Sequence, residues 1–240
     1  VAFAIECYET GLLTTEETDG LKLTWGNTDA IIQLVEKMVK REGIGDLLAD
    51  GVKRAARQIG KGADNMAINA GGQELAMHDG RFDPGFAVHN VVEPTPGRHT
   101  IGSYMFYEMF QLWRQMPDLP DPSLLYFKGS KYRASREKAV MAAACSQYMN
   151  VINGAGGCLF GAFLGSHRIP IFEWLNAATG WDLAPVDYME IGERIQTLRQ
   201  MFNVRHGIDP AKSRVSARAV GEPPPETGAN RGRSVDLDQM

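Results

Sequence analysis

The residues of this chain that could do chemistry are few and far apart. Its three cysteines, Cys7, Cys145 and Cys158, are too scattered for a disulfide framework, and none sits in a close-spaced metal pair. Cys158 stands out by its surroundings, Val151-Ile-Asn-Gly-Ala-Gly-Gly-Cys-Leu-Phe-Gly161. Glycine tolerates positive φ and lets a bulky ligand approach the main chain, so this density around one thiol suits a cofactor-contacting loop. The same composition suits a close helix crossing, in which Cys158 is a small buried hydrophobe. Pro96-Gly-Arg-His-Thr100 carries the second candidate, His99. Its imidazole has an unperturbed pKa near neutrality and can exchange a proton with substrate or water, or it can be a surface or structurally bonded ring. In His78-Asp79-Gly80-Arg81, Asp79 and Arg81 are read as structural, with lining of a substrate channel as the other reading, and Glu74 as a capping or ion-pair residue.

The composition narrows the setting. With 240 residues, 44% hydrophobic and 22% charged, the chain can bury a substantial core. A formal charge of -4 leaves no basic footprint for nucleic acid. No apolar run approaches the roughly 18 residues that span a bilayer, and nothing resembles a signal peptide, so a cytoplasmic, reducing setting with no membrane partner is expected. The chain opens on Val1 inside an apolar helical pattern and stops as an amphipathic segment begins, as a piece of a longer protein would.

Helices must position these residues. Apolar spacing predicts a first helix ending near Gly11 and a second capped by Asn27 or Thr28, with Ile31, Ile32, Leu34, Val35, Met38 and Val39 as its stripe. A third is predicted from Asp46 to Ile59, and Leu21 to Trp25 reads as a short extended segment. Residues 66–103 show little periodicity and read as a long functional loop. Further helices are predicted over 101–115, from Ser135 to Met149, and over 171–178 and 185–202. The last is expected to bury Val186, Met189, Ile191, Ile195, Leu198 and Phe202. Cys145 reads as a packing residue. Beyond Gly207 large apolar residues are scarce, so residues 207–240 are expected to lie extended over the surface or be disordered. The fold class is all-α (mainly α), an irregular multi-helix architecture, divided into 1–100, 101–206 and the tail 207–240.

Several stretches together resemble the C-terminal, helical half of the aldehyde:ferredoxin oxidoreductase family. They are Ala2-Phe-Ala-Ile-Glu-Cys-Tyr-Glu9, Asp19-Gly-Leu-Lys-Leu-Thr-Trp-Gly-Asn27, Gly43-Ile-Gly-Asp-Leu-Leu-Ala-Asp-Gly-Val52, Ala178-Thr-Gly-Trp-Asp182, Gly192-Glu-Arg-Ile195 and Phe202-Asn-Val-Arg205, in that order. The resemblance implies a tungsten or molybdenum bis-pyranopterin cofactor and one [4Fe-4S] cluster. The family's second pterin motif reads Asp, two variable residues, Gly, Leu, Cys, and Asn153-Gly-Ala-Gly-Gly-Cys158 occupies it. Cys158 is thereby implied as a cluster thiolate, with Asn153, Gly156 and Gly157 as pterin-contacting residues. Asn153 departs from the usual Asp and Gly157 from the usual Leu. His99 falls at the implied active-site histidine. Arg98 would bind pterin phosphate through its planar fork of donors, or pair with a surface carboxylate.

The implied activity is oxidation of a small aldehyde to the carboxylic acid, with electrons leaving through the cluster to ferredoxin or a ferredoxin-like electron-transfer subunit, and a homodimeric assembly is a further expectation. A family relative acting on another substrate, such as an aromatic acyl thioester, and a non-catalytic helical interaction module are the alternatives. The family's other three cluster cysteines lie upstream of anything resembling Val1, so this piece is expected to be inactive alone.

Overall fold

The computed structural model describes residues 1–165 and 169–240. His167, given no role from sequence, lies outside them. Two compact units emerge from the contacts, Val1–Leu75 and Ala76–Met240, so residues 76–100 and 207–240 group with the second unit.

The first unit contains α1 (Ala2–Glu9), α2 (Thr28–Lys40), α3 (Ile44–Ala49) and α4 (Val52–Ile59), followed by a two-residue hairpin of β1 (Asn69–Ala70) and β2 (Gln73–Glu74). Asn27 caps α2 by accepting the Ala30 amide. The stripe expected on α2 is narrower than its sequence: Leu34 is buried, whereas Ile32, Val35 and Val39 are exposed. The packed face runs through Ala30, Ile31, Leu34 and Met38, beside which Gly45 of α3 lies close to the Lys37 and Met38 backbone, and Ile32, Val35 and Val39 fall outside it. The helix expected from Asp46 to Ile59 is two helices, because Gly51 adopts φ 91° between them. Glu74 then caps α4 from a distance, its Oε1 accepting the Val52 amide at 2.7 Å, which confirms its capping role. Residues 21–25 form no strand, although Leu21 and Leu23 are buried.

The second unit begins with α5 (Pro84–Val92), inside the stretch read from sequence as a loop. Pro84 follows the Asp83 N-cap, and a nine-residue helix with only His89 and Asn90 as polar positions shows too little amphipathic contrast to declare itself. Next come α6 (Tyr104–Phe110), α7 (Leu112–Gln115), α8 (Lys128–Lys131), α9 (Arg136–Gly154), α10 (Leu159–Gly165), α11 (Ile171–Thr179), α12 (Pro185–Arg205) and α13 (Ala217–Val220). The helix expected over 101–115 is broken by Gln111 at φ 47°. Its aromatic stripe is core, as the spacing implied: Phe106 and Phe110 are buried, with Met105, Met109 and Trp113 packed against them. Cys145 is fully buried and donates to the Ser103 carbonyl.

The tail is ordered against α5. Val220 and Val235 pack on Ala87, the Val235 amide donates to the Val220 carbonyl at 2.8 Å, and Asn230 donates to Asp79 at 2.6 Å. Two valines and an inter-segment hydrogen bond are enough to lay a sparse sequence along a formed surface.

The pairing of α9 with α12 frames the rest. Gly192 lets α12 rest on the Gln147 backbone. From there the expected apolar face of α12 is met only in part: Met189 is buried and Ile191 packs against the core, whereas Val186, Leu198 and Phe202 are exposed. The inward repeat through buried Tyr188 and Gly192 continues in the half-buried Gln196, Arg199 and Asn203, which are polar and meet polar partners.

Candidate functional site

The glycine-rich bend is the C-terminal end of α9. Asn153 and Gly154 are its last residues, and the amides of Ala155, Gly156 and Gly157 turn back onto the carbonyls of Val151, Asn153 and Ile152. Gly156 supplies the left-handed step, at φ 77°. A Cβ on Gly157 would lie 2.7 Å from Ile152 Cγ2 and 2.9 Å from its carbonyl oxygen, which accounts for glycine in place of leucine. Both glycine amides are spent on the helix end. The bend can therefore present carbonyl oxygens and the open space over Gly156 to a ligand.

Cys158 emerges from this bend at the start of α10 and is exposed. The other two thiols are buried, and burial pushes Cys7 up to about 11 and Cys145 higher still, so both stay protonated. A thiolate ligand must be accessible, and of the three cysteines Cys158 is the exposed one. The residues therefore fit one ligand of an iron-sulfur cluster. Among the described residues no group of three His, Cys, Asp or Glu side chains converges on a metal position.

Arg98 and Asn153 are 55 residues apart in sequence and meet in space: the Arg98 guanidinium donates to Asn153 Oδ1 at 3.0 Å. Asn153 Nδ2 in turn donates to the Met149 carbonyl at 2.7 Å. An amide serves both contacts, whereas a carboxylate could accept from Arg98 but would face the Met149 carbonyl with like partial charge. This is a structural reason for Asn at the position where Asp was expected. Arg98 also donates from Nε to Thr100 Oγ1 at 2.9 Å, so its partners here are an amide and a hydroxyl rather than a carboxylate.

His99 lies half-buried in a three-ring stack. Its centroid is 4.6 Å from that of His78, which in turn stacks on Phe86 at 4.7 Å. Burial, then the neighbouring His78 and Arg98, hold its pKa below the usual histidine value, so at neutral pH the ring is uncharged. Stacking uses the faces of the ring and leaves its nitrogens at the edge for proton exchange. His89, given no role from sequence, is buried, and its Nε2 donates to the Arg98 carbonyl at 2.5 Å. His206 stacks against Phe202 and takes no part in this arrangement. Asp79 and Arg81 form a bidentate pair at 2.9 and 3.2 Å to Nε and 2.9 Å to the terminal nitrogen, a structural role as read from sequence.

Beneath the His99 segment is a polar network that sequence reading did not anticipate. Glu93, with 1% of its side chain exposed, pairs with Arg199 at 2.5 Å and accepts from Gln196 at 2.9 Å. Glu93 and Gln196 help line a cavity of about 480 Å³ between α5, α9 and α12. The available signal was the polar repeat on α12, hidden because helix faces are read for apolar residues.

The family model for aldehyde ferredoxin oxidoreductase, domains 2 and 3, matches residues 1–240. The chain belongs to this family. Tungsten-containing aldehyde ferredoxin oxidoreductases from Pyrococcus furiosus and Thermococcus kodakarensis are 34% and 33% identical to it, matching all of this chain and 37% of their own length. The chain thus spans little more than a third of these relatives. An aliphatic sulfonate oxidoreductase WOR-like subunit from Pyrococcus furiosus is 27% identical over the whole chain and 34% of its own length. The fold is also shared with the active-site complex of benzoyl coenzyme A reductase bound to 1,5-dienoyl-CoA, with a TM-score of 0.65 at 22% identity, covering 90% of this chain and 36% of that one. The helical architecture of this chain is that of the family's C-terminal domains, and no described helix is long and apolar enough to cross a membrane.

Proposed function

We propose that this chain is the helical portion of an oxidoreductase that converts an aldehyde and water to a carboxylic acid, releasing two electrons and two protons. The observation that carries the reading is the Arg98 to Asn153 hydrogen bond, which joins the segment bearing His99 to the bend bearing Cys158. A proton-exchanging ring and an accessible thiol are thereby held on one polar seam.

When bound, a tungsten or molybdenum bis-pyranopterin would supply Lewis acidity and two-electron redox capacity, with a [4Fe-4S] cluster passing electrons on to ferredoxin or a similar carrier. Cys158 Sγ would be one of the cluster's four thiolates. Arg98, its guanidinium already oriented by Asn153 and Thr100, would offer its remaining N–H donors to a pterin phosphate. Gly156, with open space over it, would let the pterin edge approach the main chain, while Gly157 holds the bend tight against Ile152. His99, neutral at pH 7, would take a proton from water or substrate on a ring nitrogen and release it to solvent through its exposed edge. Phe86 and His78 support that ring from one side and fix its orientation.

The test is His99→Ala in the full-length protein. Turnover should fall by about 10²-fold or more, the usual worth of a positioned general acid or base, with metal content retained. Wild-type turnover in that variant would remove His99 from the mechanism.

A further inference from the structure

The segment from Glu93 to Thr100 has no regular structure to hold it, yet nearly every residue of its first half is tied to a helix. The Glu93 carboxylate pairs with Arg199 and accepts from Gln196, both on α12. The Pro94 carbonyl accepts from Asn203 at 2.7 Å, and Thr95 Oγ1 accepts from Arg199 at 2.8 Å while donating to Glu93 at 3.2 Å. The Arg98 amide closes a turn on the Thr95 carbonyl at 2.9 Å, and the Arg98 carbonyl accepts from His89. The same Arg199 donates to Asn150 Oδ1 at 3.3 Å, and Gln196 accepts from Asn150 Nδ2 at 2.9 Å. Asn150 lies one turn before Asn153 on α9, so one guanidinium bonds both to the His99 segment and to the helix that ends in the Cys158 bend.

We propose that the Glu93–Arg199 pair is the positioning device of the site, fixing the Arg98–His99 segment relative to the end of α9 without touching substrate or cofactor. This inference rests on the function proposed above. A planar guanidinium suits the task because its donors are spread in fixed directions, here toward Glu93, Thr95, Gln196 and Asn150 at once. The Glu93 carboxylate is almost fully buried, so the pairing with Arg199 and Gln196 is held in a setting that strengthens each hydrogen bond. The contacts between the segment and α12 named here are polar, made by Glu93, Pro94 and Thr95 to Gln196, Arg199 and Asn203.

The experiment compares Glu93→Gln/Arg199→Met, Thr95→Val and His99→Ala in the full-length protein, by melting temperature, kcat, KM and the pH profile of turnover. A single Arg199→Met leaves a buried carboxylate unpaired and is expected to unfold easily, whereas the double variant removes both charges together. The double variant should melt close to wild type yet lose about 10²-fold in kcat, as misplacement by an ångström does. KM should change little. Its pH profile should also move: His99, surrounded by His78, Arg98 and His89, titrates low because it is held half-buried, and release into water should shift the acid limb to higher pH. If the double variant does not fold, Thr95→Val decides: it removes hydrogen bonds to the charged Arg199 and Glu93, with an expected loss of about ten-fold or more and the same direction of pH shift. Wild-type kcat and pH profile in whichever of these folds, alongside loss of turnover in His99→Ala, would overturn the positioning role alone. Wild-type turnover in His99→Ala would overturn the catalytic reading instead.

Discussion

Replacing Gly192 with alanine tests the helix pair on which the site is built. An added Cβ would lie 2.7 Å from the Gln147 carbonyl carbon and 2.9 Å from its Cα, with the carbonyl oxygen closer still. Comfortable carbon contacts begin near ~3.5 Å, so α12 must retreat from α9 by about 1 Å. Overpacking of this kind costs about 1–3 kcal/mol. The retreat also stretches the Asn150 to Gln196 hydrogen bond from 2.9 Å beyond useful range, worth about 1 kcal/mol more. Alanine's better helix propensity returns about 1 kcal/mol. The net is a destabilisation of about 2 kcal/mol, or a melting temperature lowered by about 6 °C for a chain of this size, followed by far-ultraviolet circular dichroism. Gly154→Ala is the internal control. Its Cβ would meet Ile195 Cδ1 at 3.0 Å, the movable end of a flexible side chain, so it should be neutral or stabilising by about 0.5 kcal/mol. A Gly192→Ala protein as stable as wild type would refute the close crossing.

Two further outcomes follow from buried and exposed titrating groups. Iodoacetamide should modify Cys158 in the folded chain and leave Cys7 and Cys145 untouched until unfolding, because only Cys158 is exposed; mass mapping that finds Cys145 labelled first would contradict this packing. Burial lowers the pKa of His89, so below about 6.5 the unfolded state binds more protons than the folded one. Its stabilising contribution is complete above that pH and declines as pH falls, by up to ~1.4 kcal/mol per pH unit. His89→Gln, whose amide can still donate to the Arg98 carbonyl, should flatten the dependence of melting temperature on pH between 7 and about 5.5, in line with the loss of one titrating group. Equal slopes in the two proteins would exclude His89 as the source.

Local sequence carried a good deal of this. Helical spacing and capping residues placed α2 at Asn27 and α9 at Ser135, and the aromatic stripe over 105–113 read correctly as core. The ordered fragments pointed to the family, and the glycine bend was legible as a helix end with an unusual thiol. Two kinds of feature were not legible. Helix breaks at Gly51 and Gln111 depend on single backbone torsions that apolar periodicity does not register. On α12, apolar periodicity places Leu198 and Phe202 on the buried face, whereas the chain exposes both and turns the half-buried Gln196, Arg199 and Asn203 to polar partners.

The sequence by itself determined the helical class, the family and the chemical character of each candidate residue, because these depend on side-chain type and short-range spacing. Only the tertiary structure decided which residues meet: Arg98 with Asn153 across 55 positions, His99 with His78, and Glu93 with Arg199 across more than a hundred. Those pairings depend on where α5, α9 and α12 pack in space, and a hydrogen bond between distant residues leaves no trace in the periodicity of either segment.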